Sequence, residues 1–177
     1  MTIPDSKKNI MVHTLAVRSD WYEGKTVAQK MKEVKHWHVK ERGWRDVAYA
    51  KIIDRDGKTA KGRDLDGDGD VWEETGAGAT GWNTNTIHIA LVGGFGGNAD
   101  DKFEDHYTAA QDKALRKEIA TINREAGRTL HLMGHHEVAN KACPCFRVRP
   151  WFNSVKQEQT SMFAAIIAAI LRLFTKG

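Results

Sequence analysis

The run "GHHEVANKACPCF", residues 134 to 146, holds two histidines, a lysine and two cysteines in one short segment. Neutral imidazole and thiolate are donors that zinc favours, and a catalytic zinc takes three protein ligands and keeps one position open. The segment could serve a metal, a redox pair, or a polar loop with two buried thiols. Cys143 and Cys145 stand one residue apart, a spacing that rarely supports an unstrained disulfide. They are therefore thiols, thiolates or ligands. His135 or His136, together with Cys143, would supply two donors. The separation exceeds one helical turn, so the chain must loop back, and Gly134 and Pro144 suit a loop at a strand end.

A third ligand must come from elsewhere in the chain. His13, inside the apolar run "NIMVHTLAV", is the best candidate, because a buried imidazole has to satisfy both ring nitrogens. The alternative is a core histidine bonded to a backbone carbonyl. Metal-assisted hydrolysis also needs groups that stabilise a developing oxyanion. Lys141, two residues before Cys143, and Tyr49 in "WRDVAYAK" are the candidates. Each taken alone reads more readily as a surface lysine or a core-edge tyrosine.

These residues need a scaffold. Residues 9 to 17 read as a buried strand, and Val27, Met31 and Val34 recur at helical spacing in a segment that should stop at Gly43. "WRDVAYAKIIDRDGK" reads as a second strand ending in an Asp-Gly turn, "TIHIALVGG" as a third and "RTLHLMG" as a fourth. The clearest helix is Thr108 to Ala126, with Thr108 and Gln111 as a capping box and Gly127 past its end. Strands alternating with helices, plus a hairpin, predict an α/β single domain with a mixed central β-sheet flanked by helices.

With 177 residues, a net charge of +4 and 28% charged residues, the chain suits one soluble domain. Its basic residues alternate with acids, as in "DKALRKEIATINRE", so no nucleic-acid groove is indicated. The stretch "MTIPDSKKNIMV" has no apolar run of signal-peptide length, and synthesis in a reducing cytoplasm is expected.

At this point the blocks "IMVH", "WHVKERGWRDVAYAKIIDRDGK", "NTNTIHIALVGG" and "HHEVANKACPCF" assemble, in order, into a pattern. The chain resembles the zinc-dependent N-acetylmuramoyl-L-alanine amidases of phage endolysins, related to the peptidoglycan recognition proteins, over residues 9 to 152. The resemblance implies zinc on His13, His135 and Cys143, with Tyr49 and Lys141 catalytic. It implies cleavage of the amide between N-acetylmuramic acid and L-alanine in peptidoglycan. It further implies action on the cell wall, in the periplasm, after release through a partner pore protein. A monomer is expected. The alternative is a non-catalytic peptidoglycan-binding module of the same fold, although such members often lack the ligand cysteine. Ala50 and Gly78 stand where relatives commonly have histidine, departures that bear on peptide preference rather than on the metal. Cys145 is given no role.

Residues 1–160 are taken as the catalytic domain and 161–177 as an apolar, helical tail. Its apolar stretch is too short to span a bilayer, which leaves docking on the domain or membrane-surface contact. "DLDGDGDVWEET" places Asp64, Asp66, Asp68 and Gly69 as in a calcium loop, but Thr75 replaces the bidentate glutamate, which favours an acidic surface loop. The "GGFGG" stretch lacks the residues of a phosphate loop and reads as a flexible loop beside the cleft. His36, His38, His88, His106 and His131 are read as surface or satisfied histidines.

Overall fold

Strand β1 (Asn9–Thr14) is buried along its whole length, as strands of parallel sheets are. It lies inside a five-stranded sheet whose order is β3-β2-β4-β1-β5, with β2 Lys51–Ile53, β3 Thr59–Lys61, β4 Thr86–Leu91 and β5 His131–Gly134. β3 runs antiparallel to β2, and the remaining pairs are parallel. The computed structural model describes residues 3–154. The expected boundary at residue 160 and the tail 161–177 lie outside the described residues. Among the described residues, no helix is long and apolar enough to cross a membrane.

Successive side chains of a strand face opposite sides, so the sheet sorts its residues into two cores. One side carries Ile10, Val12, Ile87, Ile89 and Leu91 against Leu115, Ile119 and Ile122 of helix α4 (Ala109–Glu125). Each such fully buried side chain contributes about 1.5–3 kcal/mol. The register sets Met11 opposite His88 and His13 opposite Ala90, which puts all four on the other side. There, helix α2 (Val27–His36) packs Met31 and Val34 against Ile52 and Ala90. Two one-turn helices, α1 (Ser19–Tyr22) and α3 (Phe103–His106), lie in the connections.

The capping signals work as their chemistry predicts. Thr108 and Gln111 form a reciprocal box at the start of α4, and Thr26 with Gln29 does the same for α2. Gly127, at φ +64°, supplies the left-handed residue after α4. Buried Gln111 also donates from Nε2 to the carbonyls of Ile53 and Val92, fixing the start of α4 to the ends of β2 and β4. On the far side, a buried Lys30–Asp54 ion pair at 2.6 Å ties α2 to the β2–β3 hairpin.

Three of the expected strands are shorter than the sequence expectation, the fourth starting at His131 rather than Arg128. The first strand ends at Thr14 rather than residue 17, and Ala16 takes a positive φ of 54° as the chain turns away. The second strand spans Lys51–Ile53, not residues 44 to 58. Val47, Ala48 and Ala50 are buried, yet sheet-type bonding begins only at Ala50. Ala48 accepts from the Ala77 amide and donates to His38 Nδ1, while the Ala50 amide donates to the His88 carbonyl. In the acidic loop, the Asp64 carboxylate accepts the amides of Gly67 and Gly69, and Glu74 accepts that of Leu65.

Candidate metal centre and catalytic cleft

The donors converge at the carboxyl ends of two adjacent parallel strands. His13 is the penultimate residue of β1, and His135 opens the 3-10 turn His135–Glu137 directly after β5. Cys143 comes back on the following loop. Each of the three offers a ligand atom within 4.8 Å of the others, and Cys143 Sγ is 3.7 Å from His13 Nδ1. Tetrahedral zinc, with bonds of about 2.3 Å to sulfur and about 2.0 Å to nitrogen, separates such donors by roughly 3.5 Å. Two imidazoles and one thiol at this spacing fit a zinc ion with one position left open.

The neighbouring histidine has a different task. His136 meets the Cys143 carbonyl twice, its backbone amide at 2.7 Å and its Nδ1 at 3.2 Å, and so folds the loop back over the cluster. Tyr107 Oη, donating to the Pro144 carbonyl at 2.7 Å, anchors the other side of the loop. Cys145 points away from the donors and contacts the Gly94 carbonyl through Sγ.

Burial governs the protonation of all three donors. Burial pushes the Cys143 thiol up to about 12, opposed by the Thr14 amide that donates to its sulfur. A thiolate here therefore calls for a positive charge beside it. Burial holds His13 well below the usual imidazole range and lowers His135 to about 4. Both rings are neutral at pH 7, the form that binds metal.

The cluster sits in a cleft of about 410 Å³, also lined by Tyr49, Lys141, Trp37, His38, Arg42 and Trp44. Tyr49 lies with its ring 5.2 Å from that of His13, and burial raises its pKa, so its phenol is a neutral donor. Lys141 is exposed at the rim. Trp37 and His38 belong to a π-helical turn, Trp37–Glu41, that extends α2. Such widened turns gather at functional sites, and no spacing in the sequence announces this one.

His88 is the residue that sequence reading placed wrongly. It is 1% exposed, and its Nδ1 lies 2.9 Å from His13 Nε2, while its own Nε2 has no partner among the described residues. The other four fit the earlier description: His36 and His131 are exposed, His38 accepts the Ala48 amide, and His106 pairs with Asp101.

The buried histidines set a pH dependence. Burial lowers His38 and His135 to about 4 and His88 to about 3, below an unfolded value near 6.5. The unfolded chain takes up protons first, so this stability is complete above about pH 6.5 and drains as pH falls towards 4. Thermal unfolding of chelated protein should show a melting temperature that drops across that window. A flat profile would contradict the assignment.

The N-acetylmuramoyl-L-alanine amidase family model matches residues 5–146. The endolysin of Escherichia phage T7 is 37% identical over 150 residues, covering 84% of this chain and 87% of that protein. Among solved structures, the N-acetylmuramoyl-L-alanine amidase LysC from Clostridium intestinale superposes with a TM-score of 0.63 at 21% identity, over 86% of both chains. Drosophila PGRP-LB gives 0.66 at 21% identity, over 87% of this chain and 84% of that one. At such identities these two speak for the fold, a mixed sheet with flanking helices. The family match and the phage relative together carry the conclusion that this chain belongs to the N-acetylmuramoyl-L-alanine amidase family.

Proposed function

We propose that this protein is a zinc-dependent peptidoglycan amidase of phage endolysin type, which cleaves the amide joining N-acetylmuramic acid to L-alanine at the cell wall. One observation carries the zinc assignment. His13, His135 and Cys143 bring two neutral imidazoles and a thiol to one point in the floor of an open cleft. When bound, zinc supplies Lewis-acid activation of water near neutral pH.

The chain's own groups do the rest. Tyr49 donates its phenolic proton as a hydrogen bond to the oxygen that becomes negative when the lactyl carbonyl is attacked. Lys141, at the rim, adds positive charge to the same region. The amide C–N bond breaks, water supplies its hydroxyl to the acyl carbon and its remaining proton to the nitrogen, and L-alanine leaves as an amine. Trp37 and Trp44 offer apolar faces to the glycan or the stem peptide, with the Arg42 guanidinium 5.5 Å from the Trp44 ring centre. The retained Cys143 favours this reading over a recognition module.

Purified peptidoglycan tests it by product. New amino groups without new reducing ends, lost to chelator and regained with zinc, are the expected result. Binding with neither product would leave a recognition module, and new reducing ends would mean a glycosidase.

A further inference from the structure

His13 uses its two ring nitrogens in opposite directions. Nδ1 faces Cys143 Sγ at 3.7 Å, and Nε2 lies 2.9 Å from His88 Nδ1. A neutral imidazole that presents a lone pair at Nδ1 carries its proton at Nε2. His88 Nδ1 must then be the acceptor, and the proton of His88 sits on its own Nε2.

Metal-ligating histidines typically give their second N–H to a carboxylate, a backbone carbonyl or water. The acceptor here is another imidazole, brought in from β4. We propose that His88 is a positioning residue for the metal centre, fixing the ring orientation and tautomer of His13 so that Nδ1 is free for the ion. This rests on the zinc reading above.

The surroundings are shaped for that ring. Gly76 and Gly78 lie against His88, and a Cβ at position 78 would fall 2.6 Å from His88 Nδ1 and 3.0 Å from His13 Nε2. A Cβ at Gly76 would collide with His88 Cδ2. Any side chain at 78 would thus intrude on the His13–His88 bond itself. A histidine at 78, where relatives commonly carry one, would therefore meet the His88 ring.

Two substitutions of similar size separate hydrogen bonding from packing. His88→Asn keeps an acceptor near the Nδ1 position, and His88→Leu does not. Zinc affinity is measured by competition with a chromophoric chelator, and the cobalt-substituted proteins are compared by visible spectrum. His88→Leu should bind zinc about 10–100-fold more weakly than wild type and shift the cobalt bands. His88→Asn should stay within about threefold of wild type. Equal affinities in all three proteins, or equal losses in both variants, would overturn the proposal while leaving the zinc site standing. Wild type that binds no zinc would overturn both. Should the leucine variant not fold, nitrogen-15 NMR of the zinc-loaded wild type decides the matter. The expected spectrum has the His88 proton on Nε2, and a proton on Nδ1 would overturn the assignment.

Discussion

Replacing Cys143 with alanine should abolish both zinc binding and peptidoglycan hydrolysis. The substitution leaves two neutral imidazoles, His13 and His135, around the site. It also removes the only thiolate that the cluster offers an ion. Losing Lewis-acid assistance forfeits several kcal/mol of transition-state stabilisation, which corresponds to about 10³-fold or more in rate. The loop should survive, because His136 holds residue 143 through its backbone carbonyl and not through sulfur. Metal content by mass spectrometry of the native protein, amine release from peptidoglycan and the melting temperature of the metal-free forms make the test together. Retained activity in a folded Cys143→Ala protein would refute the zinc mechanism.

The second large effect concerns Tyr49. Burial, with the nearby Cys143 charge adding to it, raises the tyrosine pKa, so the hydroxyl stays protonated wherever the enzyme works. Tyr49→Phe keeps the ring that packs 5.2 Å from His13 and 5.6 Å from His38 but removes the donor. Loss of one oxyanion donor costs about 2.7–4 kcal/mol, a fall of about 10²–10³ in kcat. Zinc affinity should be unchanged. A variant that loses zinc along with activity would instead make Tyr49 a structural support, and full activity would remove it from the mechanism.

Local chemistry explains which parts of the fold could be read in advance. Helix α4 announces itself through Thr108, Gln111 and Gly127, because caps are bonds between near neighbours. The Asp56–Gly57 turn is equally local, and Gly57 adopts φ +80° there. The segment around Val47 to Ala50 misled because burial and strand pairing leave the same apolar signature. Only the partners of Ala48, His38 and Ala77, which lie outside the sheet, show that the ladder starts later.

The site divides in the same way. His135, Lys141 and Cys143 share one short segment, so their spacing was informative. His13 and Tyr49 could be named from residue type only as candidates, and the family resemblance gave them their roles, since no local pattern joins them to that segment. His88 could not be found from residue types, because its role depends on the β1–β4 register, across 75 positions of chain. The π-helical turn at Trp37–Glu41 is likewise a product of packing.

The placement of β1 bears on how the molecule is made. β1 leaves the ribosome before the other strands of this sheet, yet it lies between β4 and β5, strands that emerge near residues 86 and 131. His13 waits still longer, for a cysteine 130 positions downstream. A nascent chain shorter than about 143 residues therefore has half-built walls and lacks one of the three proposed zinc ligands, so on the zinc reading activity should appear only as synthesis of the domain finishes. Timing of that kind is written into strand order.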